Sequence, residues 1–304
     1  MPLIIYLKST NSIDILYILK STVVNYLHRD WYILGAALEI LAGFLISLAI
    51  GITGVGAGSI TAPILILFFH QSATDAVTTA LVFGTVVKLI ATPIYMSRGH
   101  VNFKVLKFLA LGGLPAVVIG SFVLNSLDQK ALSRPVLLIV GLTVLTTAAG
   151  TLWRSLTPKI DGKPVALKWL PWIVAPIGFE VGFSSAGAGA LGTIVLMRFT
   201  SMIPAEVVGT DLAFGLLLSI FAGGIHASMT GVPWGVLGKL LLGGVPAVLI
   251  GTQLIRVVSP RKMRLVLCVW LVYIGGQLSW RGITGSKDAK PAATAVRKPA
   301  ADSR

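Results

Sequence analysis

Residues 51–120 repeat at residues 182–251, at a constant offset of 131 positions and without a gap. Gly56-Ala57-Gly58 falls on Gly187-Ala188-Gly189, Thr79 on Thr210 and Phe83-Gly84 on Phe214-Gly215. The segment Gly112-Gly113-Leu114-Pro115-Ala116-Val117-Val118-Ile119-Gly120 falls on Gly243-Gly244-Val245-Pro246-Ala247-Val248-Leu249-Ile250-Gly251. Of the 70 aligned pairs, 26 are identical. Shared apolar composition supplies a few such matches, but it does not keep Gly, Pro, Thr and Phe in register over that length. The pattern reads as an internal duplication, and in an apolar chain it points to a carrier whose site lies between two related halves.

The chain is apolar enough for that reading. Of its 304 residues 55% are hydrophobic and 12% charged, against about 25% charged in soluble domains, and mean hydropathy is +0.87. The expectation is an all-α integral membrane protein. Lys20, Arg29 and Asp30 interrupt the early apolar runs, so no cleavable leader is expected. The net charge of +14 sits in short segments between apolar runs and in the tail, the distribution of cytoplasmic loops rather than of a nucleic-acid face. The single cysteine, Cys268, lies inside an apolar run, which excludes an intrachain disulfide and thiol relay chemistry.

About 20 apolar residues cross the hydrocarbon. Spans are expected at roughly 75–97, 105–125, 134–153, 206–229, 235–256 and 262–280. Two longer apolar regions, 35–69 and 169–200, are each cut by a Gly-rich segment, Gly51–Gly58 and Gly182–Gly189. Glycine weakens a helix by about 1 kcal/mol per residue, and open backbone at membrane depth is tolerated only when buried in protein or lining a cavity. Each region therefore reads as a broken or re-entrant helix. The organisation expected is about eight transmembrane helices in two homologous halves: an interfacial segment 1–34, a first repeat 35–154, a basic linker 155–168, a second repeat 169–281 and a disordered basic tail 282–304.

Eight crossings place four basic groups in the cytoplasm. These are Lys8, Lys20 and Arg29; Arg98, Lys104 and Lys107; Arg154, Lys159, Lys163 and Lys168; and Arg281, Lys287, Lys290, Arg297 and Lys298. Both termini are then cytoplasmic, in a prokaryotic inner membrane, but Arg256, Arg261, Lys262 and Arg264 fall outside. An odd number of crossings per half would instead invert the repeats, and the sequence leaves that open.

The chemistry expected is anion binding. An unwound helix exposes backbone N–H groups at the positive end of the half-helix that follows. Gly56, Ala57, Gly58, Gly187 and Gly189 let a ligand approach that backbone, while Thr53, Ser59, Thr61, Ser184 and Ser185 add hydroxyls; close helix packing is the competing explanation of the glycines. Lys88 stands mid-span, where a charge is costly unless paired or solvated, and a buried cation suits an anionic substrate. Its repeat equivalent is Ser219, so the fold itself does not require it; pairing with Asp211 or Glu180 is the alternative. Asp211, Glu180 and His226 are candidates for proton coupling, the carboxylates otherwise being buried partners of Lys88.

The repeated Thr79 and Thr210 are candidate substrate contacts, or else bond back to their own helices. Asp75 and Glu206 read as helix N-terminal acids, and Tyr95, equivalent to His226, as an interface anchor or a gate. No metal site and no cofactor is expected. The implied partners are a small anion and the lipid bilayer, without nucleic acid; a homodimer is compatible with the sequence.

The order of these features resembles the sulfite exporter TauE/SafE family. The resemblance rests on the Gly-rich break and proline-containing half-helix from Gly54 to Pro63, Asp-Ala-Val-Thr-Thr-Ala-Leu from Asp75 to Leu81, the Gly99-His100-Val101-Asn102-Phe103 loop, the Gly112–Gly120 stretch and the duplication of this series, over about residues 35–280. It implies export of a small sulfur oxyanion or organosulfonate such as sulfite or sulfoacetate, and for some members of other small anions. The glycine runs are shorter here than is usual in that family, and the second break lacks the proline.

The chain carries no Walker-type nucleotide loop, so energy comes from a gradient. An anion channel could use the same site, and a non-transporting scaffold is a further reading. Gly182-Phe183-Ser184-Ser185 with His226 loosely suggests an intramembrane serine protease, but Thr53 and Tyr95 at the equivalent positions preserve no dyad, so no enzymatic activity is expected.

Overall fold

The computed structural model describes residues 33–52, 57–126, 138–146, 148–150, 152, 166–185, 190–254 and 260–284. The first long apolar region forms α1 (Ile33–Ile52) and α2 (Ala57–Leu67), and the second forms α6 (Leu170–Ser184) and α7 (Ala190–Phe199). The second region is divided where its Gly-rich segment begins, Ser185 ending α6 in the left-handed conformation; between α1 and α2, residues 53–56 lie outside the described residues. Between them come α3 (Ala73–Ser97), α4 (Phe103–Ser126) and α5 (Leu138–Gly150), and after them α8 (Pro204–Thr230), α9 (Trp234–Leu254) and α10 (Pro260–Thr284).

Local signals set the helix ends. The Ser72 hydroxyl accepts from the Asp75 N–H at 3.1 Å, and Pro204 occupies the first turn of α8, where its missing N–H costs nothing. Asp75 and Glu206 stand in the first turns of α3 and α8, the N-terminal positions their charge favours. Gly99 (φ 71°) and Gly231 (φ 77°) supply the left-handed residues that turn the chain into α4 and α9.

Equivalent helices open 131 residues apart: Ala73 and Pro204 begin α3 and α8, and Phe103 and Trp234 begin α4 and α9. Their contacts repeat with the halves exchanged. Gly112 lies against the Pro171 carbonyl and Gly243 against that of Ile40; Gly113 receives the Phe214 ring and Gly244 the Phe83 ring; Gly120 meets Phe179 and Gly251 meets Leu48. In every one of these pairs an element of one half packs on an element of the other. Fully buried Phe83 and Phe214 fill the equivalent positions of the core, each over a glycine that leaves room for it.

The direction of the helices answers the question the sequence left open. Thr78 meets Thr230 at the start of α3 and the end of α8, whereas Lys88 meets Gly215 and Ser219 further along, so these equivalent helices run antiparallel. The pair α5 and α10 is antiparallel too, with Gly141 on Ser279 and Gly282 on Leu138. By contrast α1 runs parallel to α9, and α4 to α6. Antiparallel equivalents mean an odd number of crossings per half. The basic groups cannot then share one side. Arg98, Lys104 and Lys107 lie opposite the side where α1 begins and Arg281 ends α10.

Five described helices, α1, α3, α4, α8 and α9, are long and apolar enough to cross a bilayer. Eight crossings are not reached by that measure, in part because the expected span 134–153 yields the shorter α5. Large apolar side chains such as Leu111, Ile119, Phe122 and Leu242 cover the outside, where lipid rather than water is the matching solvent.

Candidate functional site

The two longest central helices, α3 and α8, carry matching stripes. On α8, Asp211, Gly215 and Ser219 are spaced one turn apart; on α3 the equivalents are Ala80, Gly84 and Lys88. Where the stripes cross, Lys88 Nζ donates to Ser219 Oγ at 2.8 Å and to the Gly215 carbonyl at 3.1 Å. Ser219 in turn donates to Gly215 O at 2.7 Å. Lys88 and Ser219 are repeat equivalents, so the side chain touches its own counterpart at the point where the exchanged halves meet. Lys88 is 3% exposed, and this arrangement occupies two of its three N–H donors.

Asp211 is also buried, on α8 about two turns before Ser219. Its bonding partner is Thr193 on α7, whose hydroxyl donates to Oδ2, and it packs against Gly192 in the first turn of that half-helix. Among the described residues no hydrogen bond joins Lys88 to Glu180. That carboxylate stands on α6, half-buried, with Oε1 unpartnered among the described residues.

The two breaks come together. Ser185, in the left-handed conformation (φ 62°) at the end of α6, lies against Gly58 in the first turn of α2, and its hydroxyl donates to the Gly58 carbonyl at 3.4 Å. No side chain fits at Gly58 without displacing that backbone. Ser184 is buried and accepts from Thr143 at 3.5 Å; Ser59 and Thr61 are buried and engaged within the protein. Ala57 opens α2. Thr53, Gly56, Gly187 and Gly189 lie outside the described residues.

Thr79 and Thr210 are both fully buried but differ in their surroundings. Thr210 accepts the Asn102 N–H at 2.9 Å. The residue equivalent to Asn102 is Pro233, which has no N–H to give, and the Thr79 hydroxyl has no partner among the described residues. Thr210→Val is therefore expected to lower stability by about 1 kcal/mol by orphaning a backbone donor. Thr79→Val is expected to leave it unchanged or raised, and chemical denaturation of the two variants checks the contrast.

His226 is fully buried and ties three elements together. Its Nε2 donates to the Gly182 carbonyl in the last turn of α6 at 2.8 Å, and its Nδ1 accepts from Asn125 of α4 at 3.0 Å, the tautomer being assigned from these partners. Neither ring nitrogen bonds Ser184 or Ser185, so the protease dyad that the sequence faintly suggested does not form. Tyr95 is buried, near the C-terminal end of α3.

Sequence reading missed Thr193 and Asn125. For Thr193 a signal existed: its repeat equivalent is Ala62, the same polar-for-apolar exchange that marks Asp211 against Ala80 and Glu180 against Ala49. Asn125 aligns with Arg256 just beyond the repeat, and only the packing of α4 on α8 reveals its use.

A buried cation and a carboxylate at the crossing of two membrane helices, with helices broken beside them, define the class: a membrane transporter. Residues 39–278 match the family described as Sulfite exporter TauE/SafE, and the chain belongs to that family. It is also similar to the probable membrane transporter protein YjnA of Bacillus subtilis (strain 168), with 31% identity over 255 residues, covering 79% of this chain and 98% of that protein. No solved structure matches the chain.

Proposed function

We propose that the protein is a secondary transporter that exports a small sulfur-containing anion, sulfite or an organosulfonate such as sulfoacetate, across the cytoplasmic membrane, at a site between two repeats that arose by duplication. The observation that carries this reading is Lys88, a buried cation that donates to one hydroxyl and one carbonyl at the α3–α8 crossing. Its remaining N–H is the donor for the substrate, and Gly58, Ser59, Ser184 and Ser185 beside the breaks line the approach; Gly56, Ala57, Gly187 and Gly189 are the further residues proposed from the sequence to contact it. Thr79 and Thr210 flank it.

Charge balance supports coupling. Lys88 and Asp211 together are neutral, and adding a monoanion in a medium of low dielectric constant leaves an uncompensated charge. For a monoanion such as hydrogensulfite a proton on Asp211 restores neutrality, and for a dianion such as sulfoacetate a second proton on Glu180 does. His226, which has both nitrogens engaged, serves as a latch on α6. Inverted repeats give a natural way to open the site to each side in turn, by one half rocking on the other. A channel for the same anions would need no such proton.

A ligand that binds only the folded protein raises its stability by RT ln(1 + [L]/Kd). Thermal unfolding of the detergent-purified protein against sulfite, sulfoacetate, taurine, sulfate, acetate and chloride is expected to show a selective rise with sulfite or sulfoacetate. A rise with acetate alone would reassign the substrate to carboxylates, and no rise with any anion would contradict anion binding.

A further inference from the structure

We infer that Thr92 is a second substrate-binding residue, whose hydroxyl acts with Lys88 to select an oxyanion over a halide; this rests on the anion-transport reading. Thr92 follows Lys88 by one turn of α3, on the same stripe. That stripe faces α8: Leu81 packs on Gly223, and Lys88 reaches Gly215 and Ser219. Gly223 is the repeat equivalent of Thr92, and the exchanged counterpart of the Leu81–Gly223 contact is Thr92 with Leu212, the neighbour of Asp211. The antiparallel register of the helices thus puts Thr92, one turn beyond Lys88 on α3, at about the level of Leu212 and Asp211 on α8.

Thr92 is 3% exposed, and its Oγ1 has no hydrogen-bond partner among the described residues. A threonine in a helix ordinarily bonds back to a carbonyl of the preceding turn, as Thr85 does to Leu81 and Thr230 to His226. A buried hydroxyl left without a partner is a cost, and valine would fill the same volume without it. A hydroxyl kept there, beside a buried cation that retains one unused N–H, fits a ligand that needs both donors. Sulfite, or the sulfonate of sulfoacetate, offers several oxygens to two donors one helical turn apart. Chloride has one centre and gains little from the second donor.

The test uses Thr92→Val and Thr92→Ser in the purified full-length protein. Unfolding without ligand and the affinity for sulfite, sulfoacetate and chloride are measured for each, beside the unaltered chain. Thr92→Val is expected to unfold at the same or a higher temperature without ligand, to bind the sulfur oxyanions roughly tenfold more weakly or worse, and to bind chloride as before; Thr92→Ser is expected to restore oxyanion binding. Unchanged oxyanion affinity in Thr92→Val overturns the inference, and so does a Thr92→Ser variant as weak as Thr92→Val, which would make the methyl group and not the hydroxyl the important part. If the unaltered protein binds none of the three anions, the transport reading itself fails, and the assignment of Thr92 falls with it.

Discussion

Lys88→Met is expected to abolish anion transport and leave the protein folded. Methionine has about the length of the lysine stem and no charge to bury, and replacing a buried ionic group by an apolar one of similar volume is often neutral or stabilising. The groups left behind keep a partner, because Ser219 already donates to the Gly215 carbonyl at 2.7 Å without help from Lys88. Binding is another matter. Truncating one side of a buried charged contact costs about 2–5 kcal/mol, roughly thirtyfold to several-thousandfold in affinity. Fluorescence-detected gel filtration and thermal unfolding report on folding, and anion binding on function. A Lys88→Met protein that binds and transports normally would remove the cation from the site, whereas one that fails to fold would make Lys88 a structural residue.

Gly112→Val and Gly243→Val are expected to prevent correct folding, and to do so to similar degrees. These repeat equivalents bring α4 onto the Pro171 carbonyl and α9 onto the Ile40 carbonyl, and a Cβ at either would occupy the same space as that oxygen. The helices would have to separate along the whole contact, beyond the 1–3 kcal/mol typical of an overpacked core that can relax. Gly35 and Gly224 set the control: nothing lies within 4 Å of a Cβ built at either. Alanine there is expected to be tolerated, with the gain of up to about 1 kcal/mol that replacing helical glycine brings. Yield of monodisperse protein separates the two groups. Equal tolerance at all four positions would mean that the helices do not approach as closely as described.

These glycines show what could be read from the chain and what could not. Their repetition at a fixed offset is a pattern in one dimension, so it could be read directly, and four of the six expected spans, at 75–97, 105–125, 206–229 and 235–256, fall on helices long and apolar enough to cross a bilayer. That Gly112 brings α4 onto α6 could not be read, because it depends on a carbonyl at Pro171, which is distant in sequence. The same holds for orientation. Counting basic residues placed four groups on one side and left Arg256, Arg261, Lys262 and Arg264 on the other, and it could not decide whether α3 and α8 run antiparallel, since that follows from Thr78 meeting Thr230 and Lys88 meeting Ser219.

At the site, the sequence exposed Lys88 and Asp211 because a charge inside an apolar span is rare. It did not expose their partners. Lys88 reads from the sequence as a cation for an anionic substrate or as a partner of Asp211 or Glu180, and nothing there shows that it donates to Ser219, the residue 131 positions on. Thr92 escaped notice for a plainer reason: a threonine in a membrane helix is unremarkable until its hydroxyl is found buried and without a partner among the described residues.

The most direct test of the central claim is flux. Proteoliposomes containing the purified protein and loaded with sulfite or sulfoacetate are followed for release of the labelled anion, beside vesicles containing Lys88→Met and vesicles without protein. The account predicts saturable release through the unaltered protein and release at the protein-free rate through Lys88→Met. Equal release through both proteins, or none above the protein-free rate through either under an imposed pH gradient of each sign, would contradict it.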